Sequence, residues 1–359
     1  MQPHKNLDFS EEHGVKHYTS REAALADLLP DGAVGAELGV MRGNNALRMI
    51  EAASPSKVYL VDPWTKRDAR YHNVCEKFKG DTRVVVQRTT ALGASYDESL
   101  DWYEEDSALG GLAMYDHMVA YDKRLKFGGL AMLDYCRRPS WGVREDRADC
   151  LHKFLLHNGN YVCVGCVPYN DTVILRKLMV ERSFATRADL YTALPKNGNG
   201  LEVGVLIGAN AKVLRDVTSP ASMTLVDCWD DLFAGYDRHL ESVGLDGNAA
   251  NAEEHVRTTF PTARVIRGFS PAALSCLEDG FFDWAYVDGN HKYEAVYADL
   301  CAIKSKMKPS CVIAGHDWSL NKFNSVVAAV LRFASENKDF VLHGLSRERA
   351  SKSYLLKRG

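Results

Sequence analysis

No apolar run in this 359-residue chain approaches the ~18–20 residues needed to cross a bilayer, so no membrane span is expected. Neither sign of charge dominates. The 44 Lys and Arg against 47 Asp and Glu leave a formal net charge of -3, which gives a nucleic-acid or anionic-membrane partner no electrostatic footing. The opening MQPHKNLDFSEEHG has neither the basic-then-apolar pattern of a signal peptide nor the acid-poor character of a transit peptide, and a cytoplasmic location is expected. Cysteine is scattered, nine in all. That odd count suits reduced thiols better than a disulfide framework. The one close pair, Cys163 and Cys166 in YVCVGCV, has no second CxxC to complete a zinc site and reads as part of a buried strand. A G-x-G-x-x-G dinucleotide fingerprint is also missing from the glycine turns described below, which disfavours a nicotinamide oxidoreductase.

What is present is a duplication. Residues 36–64 (AELGVMRGNNALRMIEAASPSKVYLVDPW) and 201–229 (LEVGVLIGANAKVLRDVTSPASMTLVDCW) align at a constant offset of 165, with twelve of 29 positions identical and no gap. The identities include Glu37/Glu202, Gly39/Gly204, Gly43/Gly208, Asn45/Asn210, Asp62/Asp227 and Trp64/Trp229. A single period of half the chain means two whole domains rather than a solenoid. In both copies a leading helix carries Arg21 or Arg187. A strand, a glycine turn, a helix and a second strand ending in LVD follow. Strands alternating with helical stretches predict an α/β fold, namely two tandem Rossmann-like domains over 1–180 and 181–359. Each would be a mostly parallel sheet with helices on both faces.

The pattern E-x-G-x-x-x-G closes the first strand of each copy, and an acid, Asp62 or Asp227, ends the second strand about 25 positions later. Glycine allows a tight turn and close approach of a ligand to the main chain, and the next helix offers its positive end. A strand-end carboxylate there can accept from both hydroxyls of a ribose. The glycines are four apart, and a glutamate beside them suits a cationic sulfonium or ammonium rather than a pyrophosphate. This set resembles the class I methyltransferases, in which the acid and the glycine turn hold the methionine part of S-adenosyl-L-methionine. The resemblance implies cofactor contacts at Glu202, Gly204, Gly208 and Asp227, with Ser270 just past the third strand, and at Glu37, Gly39 and Asp62 in the first copy.

The other half of the crevice is asymmetric. Copy two reads FDWAYVDGNHKYEAV and later CVIAGHDWS. D-G-x-H-x-Y-E followed by G-H-D resembles the macrocin-type and catechol-type small-molecule O-methyltransferases, over nearly all of 184–358. The resemblance implies Mg²⁺ held by Asp288 and the His316–Asp317 pair, with His291 in the place of a general base beside Asp288. His316 stands where catechol-type enzymes have a carboxylate, and Asp288 and Asp317 could equally cap the helices that follow, so the metal stays open. An imidazole at its ordinary pKa of ~6.5 can take a hydroxyl proton near neutrality. Copy one keeps Asp106 where copy two has Asp288. It has SALGGLAM in place of the histidine and Leu133-Asp134-Tyr135 in place of G-H-D.

The expectation is therefore a methyltransferase acting on a small-molecule hydroxyl, catalysed by the C-terminal copy. The rival reading is a non-catalytic cofactor-binding scaffold. Base methylation on nucleic acid is disfavoured because no N/D-P-P-Y-type turn follows the fourth strand. The polar segment GYDRHLESVGLDGNAANAEEHV, with Tyr236, Arg238 and His239, is a candidate for acceptor contacts. With about half the chain per copy there is little room for a substrate lid, and a homodimer is one way to complete the acceptor site.

Overall fold

The computed structural model describes residues 15–65, 67–107, 109–134, 136, 145–158, 160–168, 171–230, 236–244, 248–319, 324–348 and 352–359. The chain divides into two compact units, Met1–Met179 and Val180–Gly359. The first runs β1 (Lys16–His17), α1 (Arg21–Leu28), β2 (Val34–Leu38), α2 (Asn44–Ala53), β3 (Lys57–Val61), α3 (Asp68–Lys77) and β4 (Val84–Gln87). It continues through β5 (Leu100–Glu105), α4 (Gly111–Asp122), β6 (Leu125–Leu133), α5 (Glu145–His157), β7 (Tyr161–Val167) and β8 (Thr172–Lys177). The second runs β9 (Arg182–Phe184), α6 (Arg187–Tyr191), β10 (Asn199–Val203), α7 (Ala209–Thr218), β11 (Ser222–Asp227), α8 (Tyr236–Glu241), α9 (Ala249–Thr259) and β12 (Arg264–Arg267). It closes with β13 (Phe282–Val287), α10 (Tyr293–Lys306), β14 (Met307–Trp318), α11 (Asn324–Glu336), β15 (Phe340–Ser346) and β16 (Lys352–Arg358).

Each unit builds one eight-stranded sheet. The first has the order β1-β7-β8-β6-β5-β2-β3-β4, and the second, read from the same edge, β9-β15-β16-β14-β13-β10-β11-β12. Strand for strand these are the same arrangement. All pairings are parallel except those of β8 and β16, each antiparallel to both its neighbours. This is the mostly parallel, Rossmann-like α/β architecture, present twice.

The strand sequences explain the architecture. β2 is buried at every position, as a parallel strand covered on both faces must be. The helix after it, α2, buries Asn45, Ala46, Met49, Ile50 and Ala53, one apolar stripe at helical spacing. α7 does the same with Ala211, Leu214 and Thr218. The α7 stripe closes over Leu225, Trp229, Trp284 and Tyr286, and that of α2 over Leu60, Trp64 and Trp102. Each such side chain contributes ~1.5–3 kcal/mol relative to exposure. Cys163 and Cys166 lie within β7.

The order reverses beside β10, which has β11 on one side and β13 on the other. β2 occupies the same place between β3 and β5. Ligands of such sheets bind in the crevice at the carboxyl ends of these strands. Every singled-out acid and glycine lies at that end.

Candidate active site

The glycine turn is held by more than its glycines. Gly204 has φ +87°, and a Cβ there would fall 2.1 Å from the carbonyl oxygen of Asp288. The end of β10 thus abuts the end of β13, and Gly204 answers to that packing as well as to any ligand. The turn passes through Leu206 at φ +55° and ends at Gly208, which caps α7 at φ +79°. A left-handed non-glycine residue costs about 1–2 kcal/mol, and Asp227 and Trp229 hold it in place. Asp227 Oδ2 accepts the backbone N–H groups of Val205 (2.7 Å) and Leu206 (2.8 Å), while Oδ1 accepts that of Trp229 (3.1 Å). The Trp229 indole then donates to the Leu206 carbonyl at 2.8 Å. The first unit repeats the clamp, with Asp62 accepting from Met41 and Trp64, and the Trp64 indole donating to Met41 at 2.9 Å.

This clamp accounts for the repeated Asp-x-Trp and gives Trp229 a role that sequence reasoning missed. It also corrects the expectation for Asp227. A carboxylate has about four acceptor positions, and three are taken by backbone. One ribose hydroxyl can be accommodated directly, rather than two.

Glu202 is fully buried at the end of β10. Its Oε1 accepts from Asn210 Nδ2 at 2.9 Å, and Asn210 Oδ1 accepts from the Tyr191 hydroxyl at 2.5 Å. Glu202 Oε2 has no hydrogen-bond partner among the described residues. Burial pushes this carboxyl up to about 8, against the opposing pull of Asn210. An incoming cation would favour its ionised form, and an unpartnered buried oxygen is the place such a cation would go.

The strand-end residues converge as a cluster. His291 Nε2 lies 2.8 Å from Asp317 Oδ2 and 3.4 Å from Asp288 Oδ1. His316 Nδ1 stands further out, 3.4 Å from Asp317 and 3.8 Å from Asp288. Asp317 adopts φ +57°, a conformation that an aspartate tolerates better than most residues and one that tends to mark functional sites. The Ser325 hydroxyl donates to the His291 carbonyl at 2.6 Å and fixes the turn. Burial alone would lower the imidazole's pKa. Its hydrogen bonds to Asp288 and Asp317 outweigh that and push it up to about 9. The expectation of an imidazole titrating near its ordinary value is thereby corrected.

Ligand atoms of Asp288, His291 and Asp317 lie within 4.8 Å of one another, whereas the resemblance implied His316 as the third ligand. Mg²⁺ takes hard oxygen donors in a near-octahedral shell. Here an imidazole lies between the two carboxylates and hydrogen-bonds to both. The donor set fits a shared proton and does not fit Mg²⁺.

Ser270 donates to Asp299 Oδ2 at 2.9 Å, beneath Gly289. His239 is exposed on α8, and the side chains of Tyr236 and Arg238 lie outside the described residues.

The corresponding crevice of the first unit is filled by its own cation. Arg21 Nη1 contacts Glu104 Oε1 (2.5 Å), Asp106 Oδ2 (3.2 Å) and Asp134 Oδ2. Asn45 bridges Glu37 Oε1 (3.1 Å) and Glu104 Oε2 (2.7 Å). Gly39 packs against the backbone of Asp106 and Ser107, as Gly204 does against Asp288. Counting from the Asp106/Asp288 pair, Leu109 takes the place of His291.

Residues 201–318 match the family model of a methyltransferase domain. That match lies wholly within the second unit. No curated protein matches the chain. Among solved structures, an rRNA methylase from Streptococcus thermophilus is 13% identical, with 44% of this chain and 94% of that one covered at a TM-score of 0.34. The N-methyltransferase NodS from Bradyrhizobium japonicum WM9 is 17% identical over 44% and 95% at 0.32. Spermidine synthase from Thermotoga maritima is 12% identical over 48% and 58% at 0.33.

Proposed function

We propose that the second unit uses S-adenosyl-L-methionine to methylate a hydroxyl of a small molecule, a sugar or secondary metabolite, with His291 as the general base. The observation that carries this reading is the Asp288–His291–Asp317 cluster, set directly against the glycine turn that follows buried Glu202. When bound, the cofactor supplies an electrophilic methyl on a sulfonium. The protein's part would be to hold the acceptor oxygen in line with that methyl and to take its proton as the C–O bond replaces the methyl's bond to sulfur, the thioether S-adenosylhomocysteine being the leaving group. In the tautomer where Nε2 donates to Asp317, Nδ1 is the nitrogen that receives the proton. Glu202, Gly204, Gly208, Asp227 and Ser270 line the cofactor half. The first unit, with Arg21 among its acids and leucine in place of the histidine, contributes no chemistry in this reading.

Labelled methyl transfer from S-adenosyl-L-methionine to a panel of polyols, phenols, amines and RNA tests the proposal. Label is expected in methyl ethers of the small hydroxyl compounds. Label only in amines or RNA would overturn the hydroxyl assignment, and cofactor binding without turnover on any acceptor would favour the scaffold. Because the donor set suits a proton, the same transfer is expected to proceed at full rate in EDTA. Loss in EDTA with recovery on adding Mg²⁺ would restore the metal reading of Asp288 and Asp317.

A further inference from the structure

One buried acid of the second unit takes no part in the chemistry proposed above. Asp299 of α10 is 1% exposed, and among the described residues no cation neutralises it. Its Oδ2 accepts the Ser270 hydroxyl at 2.9 Å, and its Oδ1 has no hydrogen-bond partner among the described residues. Gly289 leaves room for both side chains. A Cβ there would lie 3.8 Å from Asp299 Oδ2, 4.0 Å from Ser270 Oγ and 3.9 Å from Val203. The pair therefore sits where the loop after β12 folds against the ends of β10 and β13, the end at which the sheet takes its ligands.

The first unit has neither member of the pair. Val61 and Val226 are equivalent and pair with Gln87 and Ile266, so Ala91 stands where Ser270 does. Counting from the Asp106/Asp288 pair, His117 replaces Asp299, and it turns instead to Glu105 at 3.3 Å. An acid that burial penalises, kept beside a serine in one copy and lost with it in the other, calls for a role beyond packing.

The single hydrogen of the Ser270–Asp299 bond defines that role. Burial pushes the Asp299 carboxyl up to about 6, which still leaves it mostly ionised at neutral pH. An ionised carboxylate only accepts, so the hydrogen is that of Ser270, and the half-buried Ser270 oxygen has lone pairs alone to offer the crevice. With an ammonium at Glu202 and a ribose hydroxyl at Asp227, the base is the part of the nucleoside left for the loop after β12. The ring nitrogens of adenine accept and would be repelled by such an oxygen, whereas its 6-amino group donates. We propose that Asp299 is a positioning residue that fixes Ser270 as an acceptor, so that the second unit selects a 6-amino over a 6-oxo purine nucleoside. This rests on the S-adenosyl-L-methionine reading. A 6-oxo group would set one acceptor against another, with no hydrogen between them.

Calorimetry on the full chain decides the matter, using S-adenosylhomocysteine and its deaminated analogue S-inosylhomocysteine. The wild type is expected to prefer the first by about 10- to 100-fold, the usual consequence of losing a hydrogen bond and leaving polar groups unpaired. Ser270→Ala should bring that ratio close to one. Asp299→Ala should do the same with Ser270 intact, because the freed hydroxyl can then turn its hydrogen toward an oxo group. Asp299→Asn, whose amide oxygen can still accept from Ser270, should retain part of the preference. A purely structural Asp299 would weaken both nucleosides alike and leave the ratio unchanged. Because the readout is a ratio of affinities within one preparation, a partly unfolded variant does not obscure it. The full ratio in Asp299→Ala, or no preference in the wild type, overturns the assignment of Asp299 while the cofactor reading stands. If the wild type binds neither nucleoside, both fall.

Discussion

Replacing His291 with alanine is expected to lower turnover by about 10²- to 10⁴-fold and to leave cofactor affinity nearly unchanged. The first figure is the usual worth of a positioned general base. The second follows because the hydrogen bonds of His291 go to Asp288 and Asp317, whereas Glu202 is held by Asn210. The pH profile should be distinctive. A base works only when unprotonated, so the rate rises with pH through the pKa of His291. Two carboxylates hold that value at about 9 rather than near 6.5. At pH 7 only a small fraction is in the active form, but that fraction is a correspondingly stronger base. The mutant should lose the rising limb. Asp317→Asn, which removes the negative charge from the 2.8 Å contact, should move the limb toward lower pH. Turnover and pH profile both unaltered by His291→Ala would sink the assignment and bring His316 forward.

Much of this site was legible because the chain carries two versions of it. The turn glycines, the buried glutamate and the Asp-x-Trp pair are identical at a fixed offset, and each proves to hold the same backbone geometry twice. Strand order was legible to the extent that alternating elements demand a parallel sheet. The edge strands β1 and β9 were not, because two or three residues carry no periodicity. β15 was missed as well, its FVLHGLS sequence mixing polar and small residues with apolar ones. Side-chain partnerships were the least visible. Spacing placed Asp227 at a strand end but could not show that three backbone N–H groups already claim it. The position of His291 was visible, whereas its pKa depends on Asp317, 26 residues further along the chain and brought alongside by β14. Arg21 gave a repeat position only. That three carboxylates close around it follows from Glu104 and Asp134, residues in which the copies differ.

That difference sets the largest expected stability effect in the molecule. Arg21→Met should destabilise the first unit by ~3–5 kcal/mol, the usual consequence of stranding buried charges without their partner. The Arg21 side chain is 9% exposed and Glu104 and Asp134 essentially not at all, so solvent cannot take over its role. The loss should depend on pH in a direction opposite to ordinary acid denaturation. Burial, partly offset by Arg21, pushes Glu104 up to about 8, and burial pushes Glu37 up to about 8 as well. Asp106 and Asp134 are raised too, again chiefly by burial. In the folded state these groups keep protons that the unfolded chain releases near 4.5. Their contribution to stability is therefore full below that pH and is lost as pH rises toward 8. Removing Arg21 takes away the attraction that favours the ionised forms, so the folded values climb further and the decline with pH steepens. Scanning calorimetry of the full chain should show Arg21→Met melting well below the wild type at pH 8 and closer to it at pH 5. Arg187→Met should show no comparable loss at either pH, because Tyr286 and His316 stand where two of the carboxylates would be. A deficit for Arg21→Met of equal size at both pH values would mean that Arg21 acts through packing of its chain rather than through its charge.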